Sequence, residues 1–137
     1  MIAVLGPTCS GKSEVSARLA RLLDGEIISC DSMQVYKGMD TGTAKPSIPE
    51  RRSVPHHLID CLDIHERCDV SRFLEKARPL IHDLRQRGKT AVLTGGTGLY
   101  AKALVYDFSL EPSRSDLFRK VYEESLQAGG VERLRAQ

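Results

Sequence analysis

No apolar run in this sequence approaches the ~18 residues needed to cross a membrane, and residues 1–5 have neither the length nor the basic flank of a secretory leader. A cytoplasmic protein with no membrane partner is expected. Cysteine is sparse: Cys9, Cys30, Cys61 and Cys68 include no C-x-x-C pair and no second cluster, which argues against a structural zinc site and against a disulfide framework. The four read as reduced thiols. Neither sign of charge is in excess. Twenty Lys and Arg face eighteen Asp and Glu, a formal net charge of +2, so the balance does not mark a nucleic-acid binder and does not exclude one.

What is present suits a single globular domain. The 137 residues are 41% hydrophobic and 28% charged, enough to build a buried core. The most informative stretch is Gly6-Pro7-Thr8-Cys9-Ser10-Gly11-Lys12-Ser13, an uninterrupted match to the phosphate-binding pattern G-x-x-x-x-G-K-[ST]. The pattern needs a strand before it and a helix after it, and both are readable. Ile2 to Leu5 is a short apolar run of the kind expected in a parallel strand covered on both faces. After Ser13, Val15, Leu19, Leu22 and Leu23 recur at helical spacing, with Glu14, Arg18 and Arg21 left to face water. Loop amides and the helix N-terminus then converge where an anion is favoured. Lys12 adds a positive charge, and Ser13 offers a hydroxyl to a Mg2+ ion shared with the phosphates. A chance glycine turn before a helix is the bland alternative, and the order of strand, loop and helix weighs against it.

Asp24-Gly25 marks a turn, and residues 26–30 read as a second strand ending at Asp31. Ligands in open parallel sheets bind beyond the carboxyl ends of strands, which makes Asp31 a catalytic candidate. An Asx turn or a cap is its structural alternative. Residues 31–46 show no sustained period and read as loop with a short helical turn. Within them Thr41 to Pro46 combine hydroxyls with Lys45, a pattern that suits phosphate or substrate contact. A tight surface loop explains the spacing equally well and is preferred on spacing alone.

Residues 56–60 look like a short strand. Its adjacent His56 and His57 point to opposite sides and so do not form a joint metal site. Ser71 is expected to cap a helix running to Arg87, with Phe73, Ala77, Leu80, Ile81 and Leu84 buried, Pro79 kinking or breaking it, and Gly88 ending it. Thr90 to Thr94 form another buried strand. Gly95-Gly96-Thr97-Gly98 follow at once, and then a helical run over 99–105. This second glycine-rich junction either lets a substrate approach, with Thr97 offering its hydroxyl, or packs a helix closely on the sheet. Beyond Pro112 the pattern becomes a thinly apolar helix with Arg114, Asp116, Arg119, Lys120, Glu123 and Glu124, and residues 131–137 stop inside a helical pattern, as in a fragment.

The expected architecture is α/β: a parallel sheet of P-loop NTPase type flanked by helices over residues 1–111, with the start of a helical insertion over 112–137. GPTCSGKS at 6–13, DSMQVYKGMDTGTAKP at 31–46, VPHHLID at 54–60 and GGTGLY at 95–100 together resemble the tRNA dimethylallyltransferase family, in the family's order and across nearly the whole chain. The second block is far more specific than the phosphate loop.

The resemblance implies transfer of a dimethylallyl group from dimethylallyl diphosphate to N6 of an adenosine beside the tRNA anticodon. The chain would act as a monomer with Mg2+ as cofactor. On this basis Gly6, Pro7 and the run from Thr8 to Ser13 hold the diphosphate, with Cys9 where alanine is common. Asp31 takes the general-base position, Lys12 and Thr97 assist catalysis, and Asp31, Ser32, Met33, Gln34, Thr97 and Arg119 approach the tRNA. The residues 112–137 would begin a tRNA-binding insertion, and the family's downstream motifs are not in this sequence, so activity of the fragment alone stays open. An adenylate dimethylallyltransferase acting on free AMP, a small-molecule kinase with ATP in the loop, and a non-catalytic diphosphate binder stay open as alternatives.

Overall fold

The computed structural model describes residues 1–106 and Glu124. The expected core boundary at 111, the insertion over 112–137 and Arg119 lie outside the described residues. Four parallel strands, β1 (Ile2–Leu5), β2 (Gly25–Ser29), β3 (His56–His57) and β4 (Thr90–Gly95), lie in the order β1-β4-β2-β3. Helices α1 (Lys12–Leu22), α2 (Ile48–Ser53), α3 (Val70–Gln86) and α4 (Gly98–Val105) connect or follow them. The α/β architecture expected from the sequence is present.

The alternation of the central strands divides the core. Ile28, Ala91 and Leu93 pack with Phe73, Leu74, Ala77 and Leu84 of α3 and with Tyr100, Ala101, Ala103 and Leu104 of α4. Ile27 and Val92 point the other way, toward Ala20 of α1 and Val54. Phe73 and Tyr100 stack with ring centroids 4.7 Å apart, joining α3 to α4.

Several sequence expectations need correction. β1 is an edge strand among the described residues, paired only with β4, and most of it is exposed rather than covered on both faces. The inward face of α1 is made of Ser16 and Ala20, while Val15 is 49% and Leu22 80% exposed. Small side chains let α1 lie close on the sheet, and Ser16 is tolerated there because its hydroxyl donates to Thr94 Oγ1 at 2.9 Å.

The cap of α3 is Asp69, whose carboxylate accepts the Arg72 N–H at 3.0 Å, and Ser71 lies inside the helix. Pro79 does not break α3. It sits on the exposed face, where water can meet the carbonyl four residues earlier that proline leaves without a donor. β3 is only two residues long because Leu58 (φ 61°) and Asp60 (φ 52°) turn into the left-handed region. The helix α2 is announced by a capping box of Ser47 and Glu50, with Pro49 in its first turn.

Candidate functional site

At the carboxyl end of β1 the chain turns through the loop of residues 6–11 into α1. Cys9 (φ 64°) and Gly11 (φ 81°) are both left-handed, the backbone form that gathers successive amides into an anion nest. Gly11 caps α1 without any side-chain hydrogen bond, so the first N–H groups of this eleven-residue helix have no side-chain acceptor. Lys12 folds back and donates to the Pro7 carbonyl at 3.0 Å, beside the loop it belongs to. Ser13 lines the same cleft, and its hydroxyl has no hydrogen bond among the described residues.

The cleft has a volume of 360 Å3. It brings residues 8–14 together with Asp31, Gln34, Thr43, Ala44 and Glu50. Asp31 follows the end of β2. Its Oδ1 accepts the N–H of Met33 at 2.9 Å and of Gln34 at 3.3 Å, so the Asx-turn alternative describes one half of this carboxylate. Oδ2 has no protein partner among the described residues. A carboxylate pinned by one oxygen and open at the other is oriented and still able to accept a proton.

Gln34 is fully engaged. Its Oε1 accepts the Ser29 hydroxyl at 3.0 Å, and its Nε2 donates to the carbonyls of Thr43 and Ala44, both at 3.1 Å. The amide therefore builds the cleft wall. Ser32 and Met33 lie next to the cleft without lining it, as do Gly6 and Pro7. Ser32 is tied to the second glycine junction: its N–H donates to Thr97 Oγ1 at 3.1 Å. At that junction Gly95 meets the close-packing requirement, because a Cβ there would collide with the Cys30 carbonyl.

Two findings lie outside what sequence reasoning anticipated, and a third agrees with it. Lys45 does not reach for a phosphate. It is enclosed by Asp40 and Asp60, and although burial alone pulls its pKa down, hydrogen bonds to these two carboxylates outweigh that and hold it above the usual lysine value. Glu50 joins the cleft from α2, its pKa lowered by hydrogen bonds from the Ser47 hydroxyl and backbone. The spacing Ser47-x-x-Glu50 could have revealed this helix start. Finally, His56 and His57 do separate as expected: His56 Nδ1 donates to the Val54 carbonyl at 2.7 Å, while His57 Nε2 meets Glu26 at 2.6 Å. No group of three or more His, Cys, Asp or Glu converges among the described residues. No helix among them is long and apolar enough to cross a membrane.

Comparison with known proteins places this geometry. A family model described as IPP transferase matches residues 34–137. The tRNA dimethylallyltransferase of Pseudarthrobacter chlorophenolicus is 49% identical over 137 residues, which are 100% of this chain and 46% of that protein. The tRNA dimethylallyltransferase of Corynebacterium diphtheriae is 46% identical over 98% of this chain and 44% of its own length. Among solved structures, the full-length tRNA isopentenylpyrophosphate transferase of Bacillus halodurans superposes with a TM-score of 0.79 at 44% identity, over 92% of this chain and 42% of that one. A eukaryotic dimethylallyltransferase acting on tRNA gives a TM-score of 0.75 at 36% identity, over 82% of this chain and 27% of that one. The chain spans less than half the length of the curated relatives it matches.

Proposed function

The chain belongs to the IPP transferase family, and on that premise we propose that its cleft holds dimethylallyl diphosphate by the phosphate loop and presents the dimethylallyl carbon to N6 of an adenosine beside a tRNA anticodon. One observation carries the reading: an anion nest without a side-chain cap and a carboxylate with one open oxygen share a single cleft.

In this scheme the N6 lone pair forms a bond to the allylic carbon, the carbon–oxygen bond to diphosphate breaks, and the N6 proton passes to Asp31 Oδ2. An exocyclic amine is a weak nucleophile because its lone pair is delocalised into the ring, so a positioned base lowers the barrier. The charge gathered on the leaving diphosphate is met by the loop amides and by Lys12, which exchanges its Pro7 carbonyl for a phosphate oxygen. The Ser13 hydroxyl, without a hydrogen bond among the described residues, suits a hard, oxygen-seeking cation; Mg2+ bound by it would add to the neutralisation of that charge. Ser32 and Met33, next to the cleft, and Thr97, which accepts the Ser32 N–H, take the acceptor side in this reading. Residues 112–137, with Arg119, belong to the tRNA-binding part in this reading.

The target base must leave its stack to reach Asp31. Incubation with dimethylallyl diphosphate, Mg2+ and an unmodified anticodon stem-loop RNA is expected to yield RNA heavier by one dimethylallyl group, with no product from Asp31→Asn. Product formation by Asp31→Asn at the parent's rate would remove the base assignment. Phosphoryl transfer from ATP to a small molecule would replace the reading with a kinase.

A further inference from the structure

Lys45 follows Thr43 and Ala44, which line the cleft, and does not itself line it. Its side chain is 2% exposed. Its three ammonium hydrogens meet three acceptors: the Tyr36 carbonyl at 2.9 Å, Asp40 Oδ1 at 2.7 Å and Asp60 Oδ1 at 2.7 Å. Asp60 Oδ2 in turn accepts Arg51 Nη1 from α2 at 2.6 Å, and the Asp60 N–H donates to the Gln34 carbonyl at 3.1 Å. Two positive and two negative charges thus tie together the 36–46 segment, the turn after β3, α2 and the residues following Asp31. Lys45 is the buried member, while Arg51 and Asp60 are 22% and 30% exposed and Asp40 is 70% exposed. Removing Lys45 or Asp60 therefore leaves a partly buried charge without its partner, a larger disturbance than losing a surface pair.

What this cluster holds is the wall itself. Thr43 and Ala44 line the cleft, and their carbonyls receive both amide hydrogens of Gln34. The Thr43 hydroxyl donates to the Met39 carbonyl at 2.8 Å. Ala44, next to Lys45, is left-handed at φ 49°, a conformation that a residue with a Cβ keeps only where its surroundings impose it.

We propose that Lys45 is a positioning residue: acting through Tyr36, Asp40 and Asp60, it fixes the 36–46 segment so that Thr43 and Ala44 form the wall of the cleft and lock the amide of Gln34. The proposal deepens the functional reading above and rests on it only for what the wall faces, the acceptor adenosine.

Hydrogen–deuterium exchange on the parent, Lys45→Met and Asp60→Asn, combined with titrations of inorganic pyrophosphate and of anticodon stem-loop RNA, tests it. Both variants are expected to speed exchange of the 36–46 amides by about tenfold or more while residues 90–95 of β4 keep the parent's protection. Pyrophosphate affinity stays within about threefold and RNA affinity falls about tenfold. Unchanged exchange at 36–46, or an equal increase across β4, overturns the proposal, as does an equal loss of both affinities. If pyrophosphate or RNA fails to bind the parent, the functional reading above falls while the exchange pattern still decides the role of Lys45.

Discussion

Thr97 Oγ1 accepts the backbone N–H of Ser32 at 3.1 Å, joining the glycine junction after β4 to the residue next to Asp31. The hydroxyl proton of Thr97 has Ser32 Oγ at 3.5 Å, a weak contact that it can give up to a ligand. Thr97→Val removes the acceptor and leaves the Ser32 amide unpaired, so urea unfolding is expected to report a loss of about 1–2 kcal/mol, with Thr97→Ser close to the parent. Equal stability of the valine variant would show that the junction is not held by this bond.

Gly95 is required by contact rather than by backbone freedom. A Cβ at this position strikes the Cys30 carbonyl, and the Cys30 N–H donates to the Thr94 carbonyl in the same ladder at 2.6 Å, so neither strand can shift without losing pairing. Gly95→Ala is expected to cost about 3 kcal/mol or more in thermal or urea unfolding, or to prevent folding.

The four free thiols differ in access. Cys9 is exposed on the phosphate loop. Cys30 is buried and pushed up to about 12 by burial, and burial also raises Cys61 and Cys68. Iodoacetamide at neutral pH is expected to label Cys9 first, with pyrophosphate and Mg2+ slowing that labelling and leaving the other three sites unaffected. Undiminished labelling of Cys9 at saturating pyrophosphate would place the anion elsewhere.

Acid should weaken the fold in two stages. His56 is pulled below its ordinary 6.5 by burial, so as pH falls below 6.5 the unfolded chain takes up the proton more readily and stability declines. Its charged neighbours partly cancel: Arg51 and His57 lower its pKa further and Glu50 raises it. Glu26 is held at about 2 chiefly by the Arg87 guanidinium, whose Nη1 donates to Oε1 at 2.7 Å, against a burial penalty and with further help from His57. Its contribution is complete above pH 4.5 and disappears as pH falls toward 2. For a carboxylate 8% exposed beside an arginine 42% exposed, that contribution is on the order of 2 kcal/mol after allowing for solvent screening. Urea unfolding of the parent and Glu26→Gln at pH 6 and pH 3 checks this: the gap between them should narrow at the lower pH.

The parts of the molecule legible in the sequence are those set by local pattern. The strand–loop–helix order around residues 2–22, a strand read over 26–30 and found at Gly25–Ser29, a strand read over 90–94 and found at Thr90–Gly95, and a helix read over 99–105 and found at Gly98–Val105 all depend on short spacings. The edge position of β1 depends on which strands pair, a tertiary choice that an apolar run of four residues does not encode. The inward face of α1 does not follow its large apolar residues, because small ones, including Ser16 bonded to Thr94, let the helix approach the sheet, whereas the larger Val15 and Leu22 remain outside. Asp69 and Ser71 are both good helix caps two positions apart, and only the backbone geometry chooses between them. At the site, Asp31 Oδ1 makes the Asx turn that its spacing allowed, which leaves Oδ2 for the base role proposed above. Lys45 has the chemistry of a phosphate ligand, and its true partner Asp60, fifteen positions away, is visible only in the fold.

The claim on which everything else depends is that the nest before α1 and Asp31 form one cleft for a prenyl diphosphate. Calorimetric titration of the chain with dimethylallyl diphosphate and, separately, with ATP, each in Mg2+, measures this most directly, with Lys12→Met beside the parent. The account predicts one binding site for dimethylallyl diphosphate, weakened about tenfold or more by Lys12→Met, and weaker binding of ATP. Tight ATP binding with none of dimethylallyl diphosphate would contradict it.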